Sequence, residues 1–349
     1  MILQRPSQED ILNVITDRKE HCYDKHVEAS ELYAAVVGKD AIEYCQDFEG
    51  ILQAKYLFSQ SAMTQLLNRK NVPVLFYNRC PTNLKKDIFN HFVGQSKSTH
   101  LFRMIDNGPV LAPPEEIVEQ NVRACLTDHY GIVDDHQVFP VVFEVLADQK
   151  NWSIREFVQD EQVTRMLIHF NDATAHFKDI DHTAGLWITN SETGHSAVWI
   201  EPVVSIPGCV FANRQVLRNQ NVDIRIVHRG EVDHNRVRSM VAAAKDVAQV
   251  GLVQVMEAWE DKIASAHALR FAKSIDSFPK RMYDILEEEW ADEIELAKAA
   301  VAQRIMSLAA EMPLFQRIQV EQSASKVIGL FNNYKVRMAA IVEEINEDS

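Results

Sequence analysis

Apolar positions along this chain keep two different rhythms. Near the start, Ser7 with Asp10 three residues on has the form of a capping box, and Ile11, Val14 and Ile15 follow at helical spacing, which predicts a short amphipathic helix. From Val27 to Tyr56 the apolar residues come in short runs, such as Tyr33 to Val37 and Ala41 to Tyr44, broken by Gly38-Lys39-Asp40. That pattern predicts a hairpin. Helices are expected from Ser61 to Asn68 and from Thr82 to Val93, and strands from Val72 to Tyr77, Leu101 to Ile105 and Val122 to Leu126.

Between residues 184 and 228 the apolar runs are again short: Leu186 to Ile188, Ala197 to Ile200, Cys209 to Phe211 and Ile224 to Val227. Turns rich in Asn, Gly, Pro and Arg separate them, which reads as an antiparallel meander. The rhythm then changes. From Val232 to Phe271 there is no proline, and Val237, Val241, Ala244, Ala248, Leu252, Val255 and Trp259 recur in steps of three and four, so one long amphipathic helix is expected. Further on, Leu286, Trp290, Ile294, Ala297, Val301, Ile305 and Leu308 keep a helical stripe. A second stripe, strictly heptad, runs through Val320, Ala324, Val327, Phe331, Tyr334, Met338, Ile341 and Ile345. Met312-Pro313 between them predicts a helical hairpin with coiled-coil-like packing, docked on its own domain or forming a surface for self-association. The expected class is α+β: an antiparallel β-meander followed by a long helix, with a C-terminal helical hairpin. Three parts are expected: residues 1–110 as a mixed N-terminal region, 111–277 as meander plus long helix, and 278–349 as the hairpin. The Pro-dense stretch from Pro109 to Pro114 is read as a surface connection near the first boundary.

Composition narrows the function classes. The 349 residues include only 11 glycines and 11 prolines, which leaves little room for linkers. The net charge of −14 means that affinity for nucleic acid must come from a local basic face. From Asp284 onward there are 13 acidic and 6 basic residues, half of the whole excess. These residues, Glu343, Glu344, Glu347 and Asp348 among them, read as solvated faces and a solubilising tail, or as a competitor for nucleic acid. The five cysteines are scattered with no C-x-x-C pair. With no apolar leader and no run long enough to span a membrane, a reducing, cytoplasmic setting without membrane contact is expected.

Motifs for nucleotide hydrolysis, dinucleotide redox chemistry, serine hydrolases and zinc proteases are absent from the sequence, and no catalytic centre is assigned. His169, Asp172, His176 and His182 hold donor atoms that could ligate a metal in a nucleic-acid-processing enzyme, although their spacing matches no zinc pattern; a polar loop of hydrogen-bonding histidines is the competing reading, and no cofactor is expected. Asp-His occurs four times, at residues 128, 135, 181 and 233. Adjacent side chains point apart, so each such pair needs partners elsewhere. The strongest charge signal lies between Arg214 and Lys245, where Arg214, Arg218, Arg225, Arg229, Arg236, Arg238 and Lys245 face only Asp223, Glu231 and Asp233. Trp187 and Trp199 sit in neighbouring expected strands. A positive groove with aromatic platforms holds single strands without reading their sequence; core tryptophans beside a solvated arginine face are the alternative. Arg236 and Arg238 open their helix, where cations oppose the helix dipole unless an anion compensates.

At several of these positions the chain resembles a phage- and plasmid-encoded family known as domain of unknown function 932. The resemblance is carried by the run from Val122 through Arg123, Asp128 and His129 to Tyr130, by Asn190-Ser191-Glu192-Thr193-Gly194, by Asn213, and by His228-Arg229-Gly230 leading into the long helix. It spans about residues 60–260. Where the family tends to read Cys-Thr-Asn-Gly, this chain has Phe211-Ala212-Asn213-Arg214, which keeps only Asn213. Gly194 and Gly230 are expected at turns, and Asn190, Ser191 and Glu192 either cap a turn or contact a substrate. What the resemblance implies is DNA transactions or host conflict. A meander followed by a long helix is also similar to the core of phage single-strand annealing proteins of the Rad52 and Red-beta kind, which form rings and hold single strands in a basic groove without a catalytic centre. The implied function is single-stranded DNA binding and annealing by a homo-oligomer, with phosphates on Arg225, Arg229, Arg236, Arg238 and Lys245 and bases on Trp187 or Trp199. Capture of a host protein by an acidic interaction protein is the alternative from another class.

Overall fold

Ser7 and Asp10 form their capping box: Asp10 N donates to Ser7 Oγ at 3.1 Å and Ser7 N donates to Asp10 Oδ2 at 2.8 Å. Two amides at the open end of α1 (Gln8–His21) are thereby satisfied. The computed structural model describes residues 1–38, 41–106, 119–219, 221–228 and 232–332. A short strand, β1 (Ile2–Gln4), precedes α1. After it come β2 (Cys22–Glu28), β3 (Leu32–Val37), β4 (Ala41–Phe48) and β5 (Ile51–Phe58). Helices α2 (Gln60–Arg69), α3 (Val74–Arg79) and α4 (Thr82–Phe92) lead to β6 (Thr99–Ile105) and β7 (Glu119–Thr127). The six strands from β2 to β7 form one sheet in the order β2-β6-β7-β5-β4-β3. Only β5 and β7 run parallel in it, and the chain between them supplies the crossover that a parallel pair needs. Tyr56, Phe102, Leu66, Leu67 and Phe89 build its core.

The second sheet is larger and holds the expected meander. Helix α5 (Asp135–Ala147) precedes β8 (Trp152–Gln159), β9 (Thr164–Phe177), β10 (Ile180–Asn190), β11 (Val198–Ile206) and β12 (Cys209–Phe211). Then come α6 (Arg214–Asn219), β13 (Arg225–Ile226) and the long α7 (His234–Glu260). The order is β1-β8-β9-β10-β11-β12, with β13 also on β11. Side chains alternate across a strand, so Ile168, Leu186, Ile188, Val198 and Ile200 share the face on which Val237, Val241, Ala244 and Ala248 of α7 pack. Burying each branched side chain of that seam contributes roughly 1.5–3 kcal/mol. Ile11 and Ile15 of α1 join the same core beside α5. Residues 2–21 therefore pack with the second sheet, across the boundary expected near residue 110.

Beyond α7 the chain forms β14 (Lys262–Ala264), α8 (Ser265–Lys273), α9 (Lys280–Glu289), β15 (Glu295–Ala297), α10 (Lys298–Ala309) and α11 (Leu314–Ala324). The α+β class is as expected, and α10 and α11 pair across Pro313 as a hairpin. Three element expectations are corrected. The run from Val72 to Tyr77 is mostly helix α3, because Pro73 fixes a helical start and a short apolar run has no periodicity to tell strand from helix. The helix expected to reach Phe271 stops at Glu260, and the stripe from Leu286 to Leu308 breaks after Glu289. Both breaks serve the β14–β15 ladder, whose pairing overrides local helical preference. Helix α11 ends at Ala324, so Val327 and Phe331 of the heptad stripe fall in turns, and the second half of the stripe, from Tyr334 onward, lies outside the described residues.

Candidate functional site

The resemblance motif converges where the two sheets meet. Asn190 Nδ2 donates to Asp135 Oδ1 at 2.8 Å and to Val133 O at 3.1 Å, so its Oδ1 faces His228 Nε2 at 3.1 Å as acceptor. Burial pushes the His228 imidazole down to about 4, so the ring is neutral near pH 7; Nε2 carries the proton and Nδ1 accepts from the Tyr130 hydroxyl. The chain of donors thus runs Tyr130 to His228 to Asn190 to Asp135. Thr164 Oγ1 and Gln159 Nε2 donate to the other oxygen of Asp135. Burial first, and the charge of Glu192 second, push the Asp135 carboxyl up to about 6.

Glu192 fixes the neighbouring turn. Its carboxylate takes Arg123 at 3.2 Å, Arg18 at 3.5 Å and the Asp135 amide at 3.2 Å. Arg103 of β6 is the largest hub, donating to Asp24 at 2.9 Å, to Asp134 at 2.6 Å and to the Glu192 carbonyl at 2.7 Å. Arg123 also donates to Cys22 Sγ at 2.9 Å, and burial holds that thiol up, in its protonated form. Ser191 Oγ donates to the Gln162 carbonyl. Gly194 has φ +77, and a Cβ there would lie 2.6 Å from Leu126 Cδ2, so glycine is required at this turn. Asn213 is buried elsewhere, donating to Leu330 O at 3.1 Å, and Asp128 is on the surface beside His129. Arg229 and Gly230 lie outside the described residues. Asn190 and Ser191 are fully buried and every linkage named here is internal, so this network holds the sheets together.

The basic start of α7 compensates itself. Asp233 caps the helix, accepting from the amides of Asn235 and Arg236. Arg236 pairs with Asp223 at 3.0 Å, Arg238 pairs with Asp148, and Lys245 pairs with Asp172 at 3.3 Å. The anion demanded by the helix dipole is the protein's own carboxylate. Trp187 and Trp199 are 1% and 6% exposed, too buried to offer a face to a base. Their rings carry arginines instead: Arg165 lies 3.9 Å from the Trp187 ring centre and Arg214 4.1 Å from that of Trp199, with Arg225 at 5.5 Å.

The histidine-rich segment is not a polar loop but the β9–β10 hairpin, because strand pairing claims its backbone, and three of its four candidate ligands have a neighbour of their own. Asp172 faces Lys245, His176 meets Asp181 at 2.9 Å, and His182 Nε2 accepts from Trp259 Nε1 at 2.9 Å. His169 stands apart. Among the described residues no three His, Cys, Asp or Glu side chains gather as a metal site. Three of the other Asp-His side chains also turn to partners elsewhere: Asp135 to Asn190, Asp233 to its helix and His234 to Glu144.

A cleft of about 640 Å³ opens on the sheet face opposite α7. It is built at two irregularities. Arg155 is the extra residue of a bulge in β8, opposite the β9 pairing of Ile168 and Leu167; β10 loses register with β9 between Thr183 and Gly185. Bulges re-aim side chains and are frequent beside functional sites. Gly185 permits the close approach, since a Cβ would sit 2.2 Å from the Ile168 carbonyl oxygen. Arg5 at the end of β1, Arg155, and Arg317 of α11 line the cleft, with Glu156 and Asp181 as its carboxylates. Arg317 is paired with Glu321 and Asp181 with His176. Arg5 and Arg155 have no carboxylate within ion-pair distance among the described residues. No family model, curated protein or solved structure matches this chain.

Among the described residues no helix is long and apolar enough to cross a membrane. Of the residues singled out from sequence, the structure joins Arg123, Tyr130, Asn190, Ser191, Glu192 and His228, and separates Arg225 and Arg236 from Lys245. The cleft arginines carried no local signal, because strand pairing and α11 bring together positions 5, 155 and 317.

Proposed function

We propose that this protein binds single-stranded nucleic acid through its phosphates, as a binding and annealing factor in DNA transactions with no catalytic centre of its own. The supporting observation is the pair Arg5 and Arg155, cations with no ion-pair partner among the described residues, on a cleft of about 640 Å³ in a chain whose net charge is −14. In such a chain unpaired arginines on a concave surface mark where an anion is held. The resemblance read from the motifs between Arg123 and His228 implies the same class of function. Phosphate contact is moved from the start of α7 to this cleft, and stacking on Trp187 or Trp199 is not part of the reading.

The test is binding of a fluorescent 40-mer single strand at two salt concentrations, with light scattering on the same samples for self-association. Arg5→Glu with Arg155→Glu is expected to weaken binding at least tenfold and to flatten its salt dependence. Arg236→Glu with Arg238→Glu is expected to change it less than threefold. Equal losses from both pairs, or no binding at low salt, would defeat the reading. A second reading, capture of a host protein, is favoured by one observation: Leu75 and Phe76 of α3 stand 74% and 54% exposed, and Leu84 of the following α4 is 42% exposed. Under that reading the protein ignores the 40-mer, and Leu75→Glu with Phe76→Glu abolishes co-purification of a protein partner.

A further inference from the structure

Nine buried side-chain polar atoms lack a hydrogen-bond partner among the described residues, and six of them lie on one face of the second sheet. They belong to Arg165 and His169 of β9, Trp187 and Thr189 of β10, and Ser205 of β11. The pairing register puts these positions on the face opposite α7. Buried polar groups are nearly always paired, so such a concentration calls for a cause. Arg165 stacks on Trp187 and pairs with Glu321 of α11 at 2.6 Å. His169 Nε2 and Ser205 Oγ differ, because both residues line the cleft. Ser205 is only 5% exposed, so its hydroxyl is a buried, unpartnered group in the wall of the cleft.

Resting on the phosphate-binding reading of the cleft, we propose that it is a site for one nucleotide unit: Arg5 and Arg155 hold the phosphate at the mouth, and His169 and Ser205 meet the polar edge of the base. The two halves of the lining suit the two halves of that ligand. Arginines fit phosphate oxygens with paired donors. Burial, then the charge of Arg155, push the His169 imidazole down to about 4, so near pH 7 it is neutral and offers one N–H and one lone-pair nitrogen across the ring. Such a group adds little to phosphate binding but matches a base edge, where donors and acceptors alternate. The Ser205 hydroxyl both donates and accepts. Leu167 and Val210 give the cleft an apolar wall for a ring face. About 640 Å³ lies within the range of small-molecule sites.

The experiment is calorimetric titration of the full chain with 5′-mononucleotides, ribose 5-phosphate and inorganic phosphate, run beside the 40-mer assay. At least one mononucleotide is expected to bind saturably, ten times or more tighter than ribose 5-phosphate, and to compete with the 40-mer. Ser205→Ala, whose melting temperature should match the parent, is expected to weaken the mononucleotide about 2- to 12-fold, the range for one hydrogen bond, and ribose 5-phosphate not at all. His169→Phe should do the same. If mononucleotides bind no better than ribose 5-phosphate while the 40-mer still binds, the base site is overturned and the phosphate reading survives. If a mononucleotide binds and loses affinity in Ser205→Ala while the 40-mer is ignored, the site stands for a free nucleotide and the strand reading falls. If nothing binds, both fall.

Discussion

Replacing Arg103 by Met should uncouple the two sheets. Arg103 stands on β6 of the first sheet and is 3% exposed; it holds Asp24 of the same sheet, Asp134 at the cap of α5 and the Glu192 carbonyl after β10. Removing one partner of a buried ion pair costs about 3–5 kcal/mol, because the other charge is left desolvated. The Asp24 side chain is 26% exposed and water screens its share, whereas that of Asp134 is 13% exposed. A loss of about 3 kcal/mol is therefore expected, a shift of the urea midpoint by about 1 M or more. The readout is favourable because all five tryptophans, from Trp152 to Trp290, lie outside the first sheet. Tryptophan fluorescence follows the second sheet and its helices, while far-ultraviolet circular dichroism follows both. In the parent the two curves should coincide. In Arg103→Met the dichroism curve should lead, as the first sheet unfolds on its own. Asp134→Asn added to Arg103→Met should cost less than the two single changes together. Superimposed curves with a loss under about 1 kcal/mol would refute the reasoning and mark the hub as solvent-screened.

Acidification from pH 7 to 5 should lower the unfolding midpoint. His100, His169 and His228 are held down to about 4 by burial, against an ordinary 6.5, so the unfolded chain binds more protons in that window and stability falls with pH. Asp135, raised from 3.8 to about 6, works in the opposite direction and offsets part of this; Asp135→Asn should steepen the acid loss, measured as urea midpoint against pH. Gly185→Ala drives a Cβ into the Ile168 carbonyl at 2.2 Å, so a loss of about 1–3 kcal/mol is expected in thermal or urea unfolding, and a neutral result would mean that the bulge yields. Arg238→Ala, breaking an exposed pair with Asp148, should change stability by less than about 1 kcal/mol by the same measurement.

Elements with a strong local period were legible: α1 with its capping box, α2, α4, the strands of the meander and the body of α7. The elements missed include α5, β8 and β9, for which no pattern was read, and the short strands that tertiary pairing decides. Lys262–Ala264 and Glu295–Ala297 are strands only because each finds the other, and nothing near either segment announces it. The short apolar run from Val72 to Tyr77 looked like a strand, yet Leu75 and Phe76 stand in the open on α3. At the site level, the resemblance motifs were singled out, but that Asn190 to Gly194, Tyr130 and His228 come together was not foreseen, and burial makes that place a joint between sheets. The cationic sequence from Arg214 to Lys245 was real, but charge counting along a chain cannot see Asp148 or Asp172, which arrive from other strands and helices. Arg5, Arg155 and Arg317 were invisible for the same reason in reverse.

β1 has a consequence for synthesis. Ile2, Leu3 and Gln4 pair with Val158, Phe157 and Glu156, and Ile11 and Ile15 lie in the core beside α5. On a ribosome adding 5–20 residues per second, that segment is made roughly ten to thirty seconds before its partners emerge. The first sheet, residues 22–127, has a core of its own and can close meanwhile. The nascent chain therefore carries an unpaired edge strand and a bare apolar helix face throughout that interval, a natural handhold for a chaperone and the first place a protease would cut a stalled chain.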